Sequence, residues 1–328
     1  MTALRKAAPQ LGMLAALLLA NWVIFPGFFD LSLQGGRLTG SVVDILNRGV
    51  PVALLALGMA AVIATRGIDL SVGAVMAIAG AVAATSVEAG HPWYLAVALA
   101  LGTGLIAGLW NGALVAFLSI QPIVATLVLM VAGRGIAQLI TEGRIVTFVE
   151  PHLAAIGSGS FLGLPIPVLI VIAVGAALAL LTRRTALGLF IEALGVNPRA
   201  SHLSGIGTRG LLLWAYALSG LMAALAGVIA TADIRGADAN NAGLWLELDA
   251  ILAVVLGGAS LFGGRLSFAM TLVGALTLQA LKTGILLSGF PPTFNLVAMA
   301  AVITILLIAQ APATRAAWRR FGRPETAA

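Results

Sequence analysis

A chain of 328 residues with 60% hydrophobic and 9% charged side chains cannot solvate the surface of a soluble fold, since ordinary soluble domains carry roughly 25% charged residues. The mean hydropathy of +1.08 belongs to a polytopic membrane protein. The sequence has no cysteine, which excludes disulfides, thiolate catalysis and cysteine-ligated zinc. The net charge of +6 reads as a topology signal rather than as affinity for nucleic acid.

Apolar runs separated by polar breaks predict ten spans: 11–29, 49–65, 67–87, 92–118, 122–140, 165–182, 210–231, 249–264, 267–287 and 293–311. Most are close to the ~20 residues a helix needs to cross a hydrocarbon core about 30 Å thick. The first follows Arg5 and Lys6 but lacks a small-x-small cleavage site, so it reads as a retained span. With the N-terminus placed in the cytoplasm, twelve of the 18 basic residues fall inside. They are Arg5, Lys6, Arg66, Arg183, Arg184, Arg199, Arg209, Arg265, Arg315, Arg319, Arg320 and Arg323. Arg37, Arg48, Arg144 and Arg235 fall outside, with Lys282 toward the outer end of its span. The spans and the asymmetry predict an all-α protein of about ten transmembrane helices, one transmembrane domain over 1–328, with both termini cytoplasmic. The weakest span, 249–264, holds Gly257, Gly258, Gly263 and Gly264 and is expected to be broken or re-entrant, unless these glycines serve close helix packing.

Three polar places interrupt the apolar runs. Thr65 to Gly73 forms a break in which Arg66 and Asp69 stand three apart and could pair on a helix. Alternatively, Asp69 caps the next helix, or with Ser71 it contacts a solute. Gly104, Gly108, Asn111 and Gly112 make a small-residue stripe suited to close helix packing. Asn111, with Gln121 and Thr126 after it, joins helices or lines a path. Arg134, with Gln138 one turn away, needs a carboxylate, backbone carbonyls or water. Asp69, Ser71, Asn111, Gln121, Thr126 and Arg134 are therefore the candidate pathway or gating residues.

Enzyme constellations are missing. Neither lysine follows a glycine as a nucleotide-binding P-loop requires, no histidine precedes a glutamate, and no serine sits in a hydrolase elbow. No metal site is expected. The inside loop 183–209 is amphipathic where a plain connector would be polar. It reads as a docking helix for a soluble partner, or as an interfacial helix on lipid headgroups. The outer segment 232–248 is polar and acidic, with Arg235, Asp238, Asn240, Asn241 and Trp245 as candidate contacts for an outer partner; a plug over the pathway is the competing reading.

Glu192-Ala193-x-Gly195-x-Asn197 followed by Gly205-Ile206 resembles the coupling motif of permease subunits in ATP-binding-cassette sugar importers of the ribose and arabinose type. Gly67-Ile68-Asp69-Leu70-Ser71-Val72-Gly73 resembles the most characteristic string of that family, and Gly257 to Gly264 its late glycine motif. The stretch Ala232 to Asp249 resembles the galactofuranose importers within it. The resemblance covers nearly the whole chain. It implies a multi-pass subunit of the bacterial inner membrane that is not itself an enzyme and binds no cofactor, ATP being used by a cytoplasmic ATPase. The other implied partners are a second permease subunit, in a heterodimer or a homodimer, a periplasmic sugar-binding protein and membrane lipid, with no nucleic acid. Glu192, Ala193, Gly195, Asn197 and Gly205 would couple to the ATPase. Ala200-Ser201-His202 departs from the family's usual alanine pair. Import of another pentose or hexose such as ribose is one alternative. Another is an ion-coupled transporter using Asp69 or Asp249.

Overall fold

The fold is seen in a computed structural model, which describes residues 3–289 together with 297, 299–301, 303–305 and 308. The expected tenth span and the basic C-terminal residues Arg315 to Arg323 lie largely or wholly outside the described residues. The chain opens with α1 (Ala3–Ile24), a short hairpin β1 (Ser32–Gln34) and β2 (Arg37–Thr39), and α2 (Ser41–Arg48), which meets α3 (Val50–Ala64) at a 43° bend. Next come α4 (Val72–Glu88), α5 (Trp93–Ala116) and α6 (Pro122–Ile140). The two-residue strand β3 (Val146–Thr147), α7 (Pro151–Ser158), and the hairpin β4 (Ser160–Phe161) and β5 (Leu164–Pro165) follow. After α8 (Ile166–Arg184) the chain turns through α9 (Leu187–Val196) and α10 (Pro198–Leu203) into α11 (Thr208–Ile234). The strand β6 (Gly236–Ala237) pairs antiparallel with β3, and α12 (Leu246–Leu256) and α13 (Phe268–Leu287) complete the order.

Six of these helices are long and apolar enough to cross a membrane, and the bent α2–α3 pair makes a seventh. Each of the first nine expected spans overlaps a helix. The expected break in the eighth is present: α12 has 11 residues, about 16 Å at 1.5 Å per residue, and 257–267 is non-helical.

Helix composition decides position. Every residue of α3 from Val52 to Ala64 is buried, as a helix that is apolar on all sides must be when it sits at the centre. Around it pack α11, α12, α13 and α8. The small-residue stripe of α5 is a packing face: a methyl group on Gly108 would lie 2.3 Å from the Tyr216 carbonyl oxygen, and one on Gly104 would lie 2.4 Å from that of Gly220. Backbones meet there because no side chain intervenes.

Candidate coupling junction and transport site

The bundle has a basic face, bearing Arg66, Arg183, Arg184, Arg199 and Arg209, and an opposite face bearing α7, the β1–β2 and β4–β5 hairpins, the long-range β3–β6 pair and the 235–245 loop. On the basic face the ends of α3 and α9 and the glycine turn after α12 converge. The Gly264 amide donates to the Ala64 carbonyl at 3.0 Å. Gly195 lies so close that a Cβ there would meet the Ala64 oxygen at 1.9 Å and the Gly264 nitrogen at 2.4 Å. Arg66 adopts a left-handed backbone (φ 68°). Its guanidinium donates to the carbonyls of Gly195, Val196 and, at 3.1 Å, Phe262. One turn earlier on α9 the Glu192 carboxylate accepts from the Leu266 amide at 3.0 Å.

This places the five expected coupling residues in two groups. Glu192 and Ala193 are half-buried and Gly195 is buried, with Glu192 and Gly195 facing the rest of this chain. Asn197 and Gly205 are exposed: Asn197 caps α10 by accepting from the Ala200 amide at 3.0 Å, and Gly205 has φ +81° in open space. Exposed Leu189, Val196 and Leu203 complete the outward surface of α9 and α10.

Arg66 and Asp69 do not pair, because 65–71 is not helical and the two side chains diverge. Asp69 is buried, at 1% exposure. One of its oxygens accepts from the Ser71 amide at 3.0 Å and the Ser71 hydroxyl at 2.6 Å, and the other from the Ser219 hydroxyl of α11 at 2.7 Å. The Asn111 amide of α5 donates to Ser71 Oγ at 2.9 Å, leaving Asn111 Oδ1 buried without a partner. Thr126 of α6 accepts from the Leu70 amide at 3.1 Å. Thus four of the six expected pathway residues, Asp69, Ser71, Asn111 and Thr126, lie around one elbow and fasten it to α5, α6 and α11. Gln121 does not join them; it is exposed at the start of α6 with no side-chain cap.

Arg134 belongs with the opposite face. Its guanidinium donates to the carbonyls of Ala239 at 3.2 Å and Ala242 at 2.5 Å, and Gln138 donates to Asn240 Oδ1 at 2.8 Å. Of the three kinds of partner open to Arg134, backbone carbonyls supply the hydrogen bonds. Asp238 accepts from the amides of Asn240 and Asn241 at 3.1 and 3.2 Å and from the Asn241 side chain at 2.7 Å. The Asn241 side-chain bond, with the backbone donors and Arg134 nearby, holds the Asp238 carboxyl below its usual range against a smaller effect of burial. Arg235, Asn240, Asn241 and Trp245 are exposed, Arg235 and Trp245 with left-handed backbones. Beside this loop a cleft of about 420 Å³ opens among α2, α3, α4, α7, α8 and α11, bordered by Asn47, Arg48, Asp233, Asp238 and Asn241. Arg144 and Glu88 form a two-point exposed ion pair at 2.8 and 3.0 Å on the same face.

Sequence reasoning missed three features. Ser219 and Tyr216 sit within the apolar run of α11 and carry no polar pattern. Lys282 pairs with Asp249 between α13 and α12, a contact between positions 33 apart in sequence. The carbonyl grip of Arg66 follows from a backbone conformation that spacing does not reveal. Among the described residues no cluster of His, Cys, Asp or Glu could hold a metal ion.

Residues 41–307 match the family model described as "Branched-chain amino acid transport system / permease component". The galactofuranose transporter permease protein YtfT of Escherichia coli is 61% identical over 92% of this chain and 89% of its own length. The fructose import permease protein FruF of Bifidobacterium longum is 41% identical over 84% of this chain and 79% of its own. The ribose import permease protein RbsC of Haemophilus influenzae is 38% identical, covering 88% and 87%. No solved structure matches the chain. A model match over most of the chain and relatives of this identity, joined to a bundle of membrane-length helices, place the protein in that family of transport-system permease components.

Proposed function

We propose that this chain is the permease subunit of an ATP-binding-cassette importer in the bacterial inner membrane, moving galactofuranose from periplasm to cytoplasm. The observation that carries the substrate is the 61% identity to a galactofuranose permease across about nine-tenths of both chains. The basic face is the cytoplasmic one. There α9 and α10 present Leu189, Val196, Asn197 and Leu203 to a separate ATPase, which alone uses ATP; this chain is not an enzyme and binds no cofactor. A periplasmic binding protein docks on the opposite face at Arg235, Asn240, Asn241 and Trp245, and a second, different permease completes the membrane dimer. ATP binding favours one of two arrangements of the bundle, which alternates access by population shift. The two carboxylates that an ion-coupled transporter would use are already engaged, Asp69 by Ser71 and Ser219 and Asp249 by Lys282.

The test is purification from native membrane in mild detergent with identification of the co-purifying chains, then uptake by the reconstituted complex. A P-loop ATPase, a second permease and uptake of galactofuranose in preference to ribose and fructose are expected. Ribose uptake at equal or greater rate would move the substrate to a different sugar. Uptake without ATP, driven by an ion gradient, would end the importer reading.

A further inference from the structure

We infer that Arg66 is the positioning residue through which movement of α9 enters the membrane, so that α9, the 65–71 elbow and the 262–264 turn travel as one body. This rests on the importer reading above. The chain itself ties α9 to α8 and, through α10, to α11; it offers no direct covalent route to α4, α5 or α6. Arg66 supplies one. The last carbonyls of a helix lack intrahelical partners and carry its negative end. Arg66 satisfies those of Gly195 and Val196 with a cation and takes the Phe262 carbonyl as well. Beneath it the Ala64, Gly195 and Gly264 backbones touch without intervening side chains.

The same short segment is fastened on its far side. Leu70 is bonded to Thr126 of α6, while Asp69 and Ser71 are bonded to Ser219 of α11 and Asn111 of α5. A displacement of α9 therefore pulls on three membrane helices through six residues of chain. The left-handed backbone at Arg66 supports a role for the side chain. That conformation is uncommon for any residue but glycine, so an arginine there carries a backbone cost that a glycine would remove.

The test uses the whole transporter, with its ATPase and binding protein, carrying Arg66→Gln, Arg66→Gly or Arg66→Lys. The readout is sugar moved per ATP hydrolysed. Arg66→Gln and Arg66→Gly should lower that ratio about tenfold, within the range of ordinary coupling energies, and Arg66→Lys should fall between them and the parent. Should Arg66→Gln fail to assemble, Arg66→Gly carries the test, because it suits the backbone while deleting the grip. A purely structural staple would change yield without changing the ratio. A second readout exploits the absence of native cysteine. Spin labels on Phe190→Cys in α9 and Phe262→Cys in the 262–264 turn, both exposed, should hold one separation with and without nucleotide in the parent, and change separation with nucleotide in the Arg66→Gln background. An unchanged ratio in Arg66→Gln and Arg66→Gly, or a parent separation that shifts with nucleotide as much as the variant's, overturns the inference and leaves the importer reading standing. A parent that recruits no ATPase overturns both.

Discussion

The two faces of the bundle are stabilised in different ways. On the basic face backbone meets backbone: Gly195 leaves no room against Ala64 and Gly264, Asp69 is buried, and the exposed Arg66 and half-buried Glu192 spend their polar groups on this chain's own backbone. On the opposite face, Asp238 is occupied by its own loop, Arg134 and Gln138 reach up from α6, and Arg235, Asn240, Asn241 and Trp245 remain exposed. The residues of the resembled coupling motif thus divide between two tasks. Glu192 and Gly195 hold α9 to the bundle, and Asn197 and its exposed neighbours face outward. The outer loop is held from α6 by half-buried Arg134 and exposed Gln138.

The largest expected effect attacks the ion pair that joins α12 to α13. Lys282→Met leaves Asp249 nearly buried without its cation, which costs about 3–5 kcal/mol in comparable buried pairs. The thermal midpoint in detergent should fall sharply. The double variant Lys282→Met with Asp249→Leu should recover most of the loss, because two apolar residues replace a pair that had to be desolvated. A single variant as stable as the parent would mean that the pair adds nothing to the contact between α12 and α13.

The next effect breaks the inner face. Gly195→Ala places a methyl group within 1.9 Å of a backbone oxygen and 2.4 Å of a backbone nitrogen. Neither atom is the movable end of a side chain, so α9 must shift, at about 1–3 kcal/mol for overpacking of this kind. ATP-driven uptake should fall with it. Gly205→Ala at the exposed end of the same loop has open space and should affect uptake less, although its φ of +81° adds strain. Equal tolerance of both substitutions would erase the distinction between holding and docking residues.

How much of this was legible in the sequence follows from the physics of each element. A membrane span declares itself locally, by about 20 apolar residues, so each of the first nine expected spans overlaps a helix and the glycine-broken eighth was readable from Gly257 to Gly264. The bent α2, the outer α7 and the short hairpins were not, because they are too short to have a period. At the site, Asp69, Ser71, Asn111 and Thr126 stood out as polar residues in apolar runs. Their common attachment did not, since Ser219, which bonds Asp69, comes from a helix 150 residues away. Spacing suggested that Arg66 and Asp69 could pair; the left-handed turn at Arg66 sends them to different partners.

A smaller effect probes the buried elbow. Ser219→Ala removes one donor to Asp69 and leaves the Ser71 bonds in place. Hydrogen bonds inside membrane bundles are worth about 0.6–2 kcal/mol, so a modest drop in thermal midpoint is expected. Asn111→Ala acts on the same network one bond further out, and the two changes should combine non-additively. Strict additivity would mean that the elbow is a set of separate contacts rather than one network.

The smallest effect tests the outer loop by pH. Asp238 is held below the usual carboxylate range by the Asn241 side chain first, then by backbone donors and Arg134. A depressed folded value means that the contribution is fully present above the unfolded value and is lost as pH falls through the folded one. The loop should therefore keep its shape from neutral pH down through the ordinary carboxylate range, and amide exchange of residues 239–242, corrected for its intrinsic pH dependence, should be flat across that interval. Asp238→Asn replaces an acceptor-only carboxylate by an amide that offers one acceptor oxygen, so the Asn240 and Asn241 amides should exchange faster at every pH while the thermal midpoint of the bundle barely moves. Protection that declines between neutral pH and pH 5 in the parent would show that Asp238 is not the group organising this loop. The exposed Asn240, Asn241 and Trp245 would then owe their placement to Arg134 and Gln138 alone.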